Sequence, residues 1–145
     1  MIAIILSALW GVVMMFSGIF FKRKSAAGVI AILGITTLII VSLLEYGSYL
    51  YLPLDVKGML TFTPFSQVFN MVAFICTLIY FLLNATEFEE VGNDVYEYYA
   101  LIFFILCGIC IVTSFNTLLM LFLGIEIISI PLYILAGSDK RNLKS

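Results

Sequence analysis

The chain has 145 residues, 63% of them hydrophobic and 11% charged, with a mean hydropathy of +1.19 and a formal net charge of −2. A chain this apolar has too little polar surface to clothe a soluble domain of its size, so it reads as an integral membrane protein whose solvent is the lipid bilayer. Seven Lys and Arg against nine Asp and Glu form no basic patch for nucleic acid, and the lack of histidine removes bis-His haem, most transition-metal sites and His-based acid–base chemistry.

The first 21 residues carry no charge and no basic leader, so a transmembrane helix over 1–21, retained rather than cleaved, is predicted. Lys22-Arg-Lys24 ends it, and a second span over 26–45, uncharged as far as Leu44, follows closely enough to pack antiparallel to the first. Glu45, Tyr46, Tyr49 and Tyr51 mark its exit through the headgroup region as an aromatic belt. Residues 46–64 contain Gly47, Pro53, Asp55, Lys57, Gly58 and Pro64, and the run from Gly58 to Thr63 suits a short strand or hairpin arm.

The third span is placed at 65–83, with Gln67, Asn70 and Thr77 on one face, a pattern that favours interhelical hydrogen bonding over an ion path. Residues 84–97 form an acidic loop whose charges (Glu87, Glu89, Glu90, Asp94) read as solvated. Glu97 opens the fourth span, 98–114, where a carboxylate complements the positive end of the helix dipole; collecting protons is its other reading. Ala100, Cys107, Cys110 and Ser114 make a small-residue face on that span, so the CxxC spacing reads as packing rather than redox chemistry, and no metal site is expected. Ser114 to Thr117 is a tight turn with Asn116 as the N-cap of a fifth span over 117–137. The fold class predicted is thus an all-α membrane protein, a bundle of five transmembrane helices in one domain over 1–145.

Lys22, Arg23, Lys24, Lys140, Arg141 and Lys144 fall on one side of such a bundle and Lys57 alone on the other. The excess of basic residues marks the cytoplasmic side, which puts the N-terminus outside and the C-terminus inside.

Glu126 stands near the middle of the fifth span, where an acid costs roughly 2.5–3.5 kcal/mol on insertion scales and is normally turned toward the bundle interior, a partner or water. Ser129, Tyr133, Gly137 and Lys140 share its helical face toward the cytoplasm, while Phe122 and Leu119 on the other side are apolar, so a one-sided hydrated half-path is expected. Pro131 lacks an N–H and frees the carbonyl of Ile127 beside the acid. The candidate site is therefore Glu126 for proton transfer, with Ser129, Pro131 and Tyr133 in support and Glu97 as a further candidate. The plainer alternative has Ser129 bonding back to the Ile125 carbonyl, Tyr133 in the interfacial belt and Pro131 as a tolerated membrane proline.

The run Leu121-Phe-Leu-Gly-Ile-Glu126, followed by Ser129-x-Pro131-Leu-Tyr133, resembles the fifth transmembrane helix of the antiporter-like subunits of proton-pumping NADH:quinone oxidoreductase, respiratory complex I. It is most similar to subunit N, as are Glu97-Tyr-Tyr-Ala-Leu-Ile-Phe-Phe and the hairpin around Ser114-Phe-Asn-Thr. The resemblance implies that Glu126 is essential for proton translocation, that its lysine partner lies two helices later, beyond these residues, and that the chain is an N-terminal fragment of a longer subunit. It further implies a cell inner-membrane location, other complex I membrane subunits as partners, and no cofactor in this chain, NADH and quinone being used by the whole complex. A subunit of a Na⁺/H⁺ antiporter or membrane-bound hydrogenase, or an assembly bundle without transport of its own, are the competing readings.

Overall fold

The computed structural model describes residues 2–20, 24–47, 60, 63–89 and 95–144. They form five helices: α1 (Ile2–Phe20), α2 (Lys24–Tyr46), α3 (Pro64–Glu89), α4 (Val95–Ser114) and α5 (Leu118–Lys144). Each contains a stretch of at least 19 residues apolar enough to cross a bilayer, and such helices satisfy their backbone hydrogen bonds internally, as lipid requires. Phe20, Phe65, Leu83 and Leu118 are each more than 70% exposed on the outside of the bundle. In water such a surface would aggregate, whereas against acyl chains it costs nothing.

Two helices run past the apolar stretches that announce them. α3 continues to Glu89 into the segment expected to be an acidic loop, because nothing between Leu83 and Glu89 is a Gly or Pro that would stop it. α5 continues beyond Gly137 to Lys144, its basic residues falling at the negative end of the helix dipole.

Two starts are built by side chains. At α3 the Ser66 amide donates to Thr63 Oγ1 (3.2 Å) and the Thr63 amide to Ser66 Oγ (3.1 Å), a reciprocal cap with Pro64 at the first helical position. At α5 the Met120 amide donates to Thr117 Oγ1 at 3.4 Å, so the cap falls on Thr117 rather than on the expected Asn116. The helix starts at Leu118, which puts Met120 at the third helical position, the donor that a capping hydroxyl at Thr117 can reach.

The segment from Gly58 to Thr63, expected to be a strand or hairpin arm, lies outside the described residues except for Leu60 and Thr63. Leu60 makes an isolated antiparallel bridge with Phe115, in the turn between α4 and α5. Lys22, Arg23, Tyr49, Tyr51, Lys57, Glu90 and Asp94 are likewise outside the described residues.

α4 is the axis of the bundle. It packs against all four other helices, whereas α5, among the described residues, packs on α4 alone. Toward α1 the contact is close because Gly11 has no side chain: a Cβ there would stand 2.6 Å from the Phe104 ring. Deeper in, Phe81 of α3 meets Tyr99 edge-on at 4.9 Å and Phe103 at 6.0 Å, and Phe103 stacks on Trp10 of α1 at 6.3 Å. This aromatic cluster ties α1, α3 and α4 together by dispersion and quadrupole contacts, the forces that remain between helices once lipid removes the hydrophobic drive.

Candidate functional site

The orientation of α5 is decided by its α4-facing side. Gly108 and Gly124 lie at the crossing, where a Cβ on Gly108 would come within 2.7 Å of the Ile128 side chain and one on Gly124 within 2.6 Å of Val112. Pro131, two turns on from Gly124, is buried on the same side, and α5 runs through it unbroken. Residues at 3, 4 and 7 from Gly124 thus face α4, which turns Glu126 to the opposite side of the helix.

Glu126 is accordingly exposed on the outer face of the five-helix bundle, not turned into it. Tyr133 shares that face at 74% exposure, and a Cβ on Gly137 would meet nothing within 4 Å. Ser129 is half-buried at its edge and makes no hydrogen bond to the Ile125 carbonyl among the described residues. The structure brings Glu126, Ser129 and Tyr133 onto one polar stripe; the side chain of Lys140 lies outside the described residues. No described residue forms an ion pair or hydrogen bond with Glu126, so a proton acceptor or donor for it must come from water or further protein.

Glu97 is exposed in the first turn of α4. It precedes Gly108, which crosses α5 at the level of Glu126, by a distance of about 16 Å along the helix axis. The two acids are not part of one constellation, and the position of Glu97 matches a charge at a helix N-terminus.

The cysteines sit in packing. Cys107 and Cys110 are buried free thiols on α4, and Cys107 Sγ donates to the Ile4 carbonyl of α1 at 3.6 Å. Among the described residues no group of His, Cys, Asp and Glu has a metal-binding arrangement. On the polar face of α3, Thr113 of α4 reaches Asn70 Oδ1 at 2.9 Å, the interhelical bond anticipated for that face, while Thr77 bonds its own Ala73 carbonyl.

One carboxylate was undervalued by sequence reading. Glu45, placed there in the headgroup belt, is half-buried and accepts a hydrogen bond from the Ile2 amide at 2.7 Å, tying the end of α2 to the start of α1. The available signal was its spacing: Glu45 follows Ser42 by three residues and so shares a helical face with it.

Subunit N of the NADH-quinone oxidoreductase of Flavobacterium psychrophilum is 34% identical over 98% of this chain. The sequence is homologous to NADH-quinone oxidoreductase subunit N. The subunit N of Cytophaga hutchinsonii is 42% identical over 61% of the chain, and the F(420)H(2) dehydrogenase subunit N of Methanosarcina mazei 28% over 93%. The chain spans 30%, 19% and 29% of these three subunit N proteins, less than a third of their length. No family model and no solved structure matches it.

Proposed function

We propose that the chain supplies five spans of a membrane subunit that carries protons across the bilayer in an NADH:quinone oxidoreductase, with Glu126 as the group that takes up and releases the proton. The observation that carries this is a carboxylic acid at mid-depth on an outward helix face, in a chain 34% identical over 98% of its length to a subunit N. A lipid-facing acid at that depth is costly. Its outward placement therefore supports a cover of further protein, which the threefold greater length of the relatives could supply.

A charge shift driven by quinone reduction elsewhere in the assembly would drive the proton onto and off Glu126. Ser129 and Tyr133 offer hydroxyls on the same face through which water could reach it from the cytoplasmic side, whereas Pro131 and Ile127 face α4 and take no part in that route. Glu97 serves as a helix-end charge. The subunit works in the cell inner membrane among the other membrane subunits, with its N-terminus outside. NADH and quinone are handled elsewhere in the assembly.

The similarity to an F(420)H(2) dehydrogenase subunit supports a second reading: the same proton-carrying spans in an assembly fed by a different electron donor. The two share the role of Glu126 and differ only in the oxidoreductase attached.

In the complete subunit, assembled and measured in inverted membrane vesicles with a pH-sensitive dye, Glu126→Gln is expected to cut proton uptake by about 10² or more, the usual cost of losing a proton-transfer group. Subunit assembly should be unaffected. Normal uptake in this variant would refute the proposal, and loss of assembly with normal uptake by the remainder would assign Glu126 to helix packing.

A further inference from the structure

Near the end of the bundle where α1 and α3 begin and α2 and α4 end, the four helices line a partly open cavity of about 20 Å³. No residue of α5 lines it, and among the described residues α5 touches no helix but α4. Its polar lining is Ser42 and Glu45 of α2 with Gln67 and Asn70 of α3, alongside Ile4 of α1 and Cys110 of α4. That volume holds one water molecule, which needs two to four polar partners to be retained, and the lining provides them.

Ser42 is the decisive group. Three helical threonines bond back to the preceding turn: Thr36 to the Ile32 carbonyl at 2.7 Å, Thr37 to Gly34 at 2.6 Å and Thr77 to Ala73 at 2.8 Å. Ser42 is only 5% exposed, yet its Oγ makes no hydrogen bond among the described residues. A buried hydroxyl that forgoes its backbone partner and lines a polar cavity is placed to bond a molecule inside it. Ser114, the other buried hydroxyl in this condition, is not part of the cavity wall.

We propose that this cavity is a hydrated proton-holding site, in which a water bound to Ser42 Oγ keeps the Glu45 carboxyl in proton exchange with the aqueous phase at that end of the bundle. The Glu45 carboxylate takes a proton from a hydronium ion arriving through the bound water, which is left as neutral water, and the reverse step returns it. A carboxylate accepts up to about four hydrogen bonds, so the bond from Ile2 and one from the water are compatible. Asn70 Oδ1 is engaged by Thr113, which leaves the Asn70 amide to donate to the water. The cavity wall around Glu45 includes the α1 backbone at Ile2, the neutral amides of Gln67 and Asn70, and Cys110, on which both the Glu45 charge and the charge of the chain's N-terminus act. The site does not depend on pumping through Glu126.

The test is an infrared pH titration, in H₂O and D₂O and without turnover, of the complete subunit in its membrane assembly. A carboxyl C=O band that titrates, moves in D₂O, vanishes in Glu45→Gln and shifts in Ser42→Ala is expected. Glu45→Gln keeps an acceptor for the Ile2 amide, so the tie between α1 and α2 survives in it. Ser42→Val, which fills the cavity and removes the hydroxyl, should slow H/D exchange of that band by about 10²-fold, the typical contribution of one positioned proton-transfer group. Identical titration spectra for wild type and Glu45→Gln would overturn the proposal, reducing Glu45 to a structural tie. An exchange rate unchanged in Ser42→Val would overturn it too. Because nothing is pumped in this measurement, a failure here leaves the reading of Glu126 standing, and loss of pumping in Glu126→Gln leaves this site standing.

Discussion

Glu126 and Glu45 are two acids in one apolar bundle with opposite surroundings. The first stands at the middle of a span on an open face; the second is half-buried at a helix end, bonded to the first amide of α1. Depth along the helix is readable from a sequence, because residues can be counted from each end of a span. Which neighbours surround a side chain is not, because that depends on where other helices lie. The polar residues between helices follow the same division. Asn70 and Thr113 are far apart in the chain and their bond exists only because α3 and α4 cross there. Thr113→Val should therefore weaken that crossing by about 0.6 kcal/mol and at most about 2, the range for interhelical hydrogen bonds in membranes, as read by denaturant-induced unfolding in mixed micelles. Thr77→Val, which loses only a bond within its own helix, serves as the comparison.

At the scale of the helix, small residues decide which faces meet. α4 makes two close contacts one turn apart, Phe104 lying over Gly11 of α1 while Gly108 lies against α5. The small-residue face read from the sequence, Ala100, Cys107, Cys110 and Ser114, is indeed buried. The α5 contact runs instead through Gly108, one residue from Cys107 and so about a quarter-turn away on the helix. Gly108→Leu should overpack the α4–α5 crossing and cost roughly 1–3 kcal/mol, seen as a lower unfolding midpoint. Gly137→Ala, with open space around its Cβ, should leave that midpoint unchanged or raise it slightly, since Ala is the better helix former.

For the whole molecule, the arrangement is a compact group of α1 to α4 with α5 attached through one interface. That asymmetry leaves the outer face of α5, with Glu126 and Tyr133, exposed. The direction in which the bundle crosses the membrane is a matter of charge rather than packing. With cysteines substituted at Lys57 and Lys140 in separate variants lacking the native thiols, a membrane-impermeant maleimide should label the first from outside intact cells. The second should react only in inverted vesicles, and the opposite pattern would reverse the orientation.

Sequence alone determined the class of the protein, the number of its spans and the approximate depth of Glu126. Apolar length is a local property, and a bilayer imposes one answer on it. Its similarity to subunit N was legible for the same reason, carried by a continuous run around Glu126 rather than by residues assembled from afar. Tertiary structure alone decided that α4 is the axis, that Glu126 faces outward and that Glu45 lines a polar cavity with Ser42, Gln67 and Asn70. Those facts depend on the rotation of each helix about its own axis. In a bundle hydrophobic on every side that rotation is set not by a hydrophobic stripe but by where glycines allow backbones to approach and where a few hydroxyls and amides find each other.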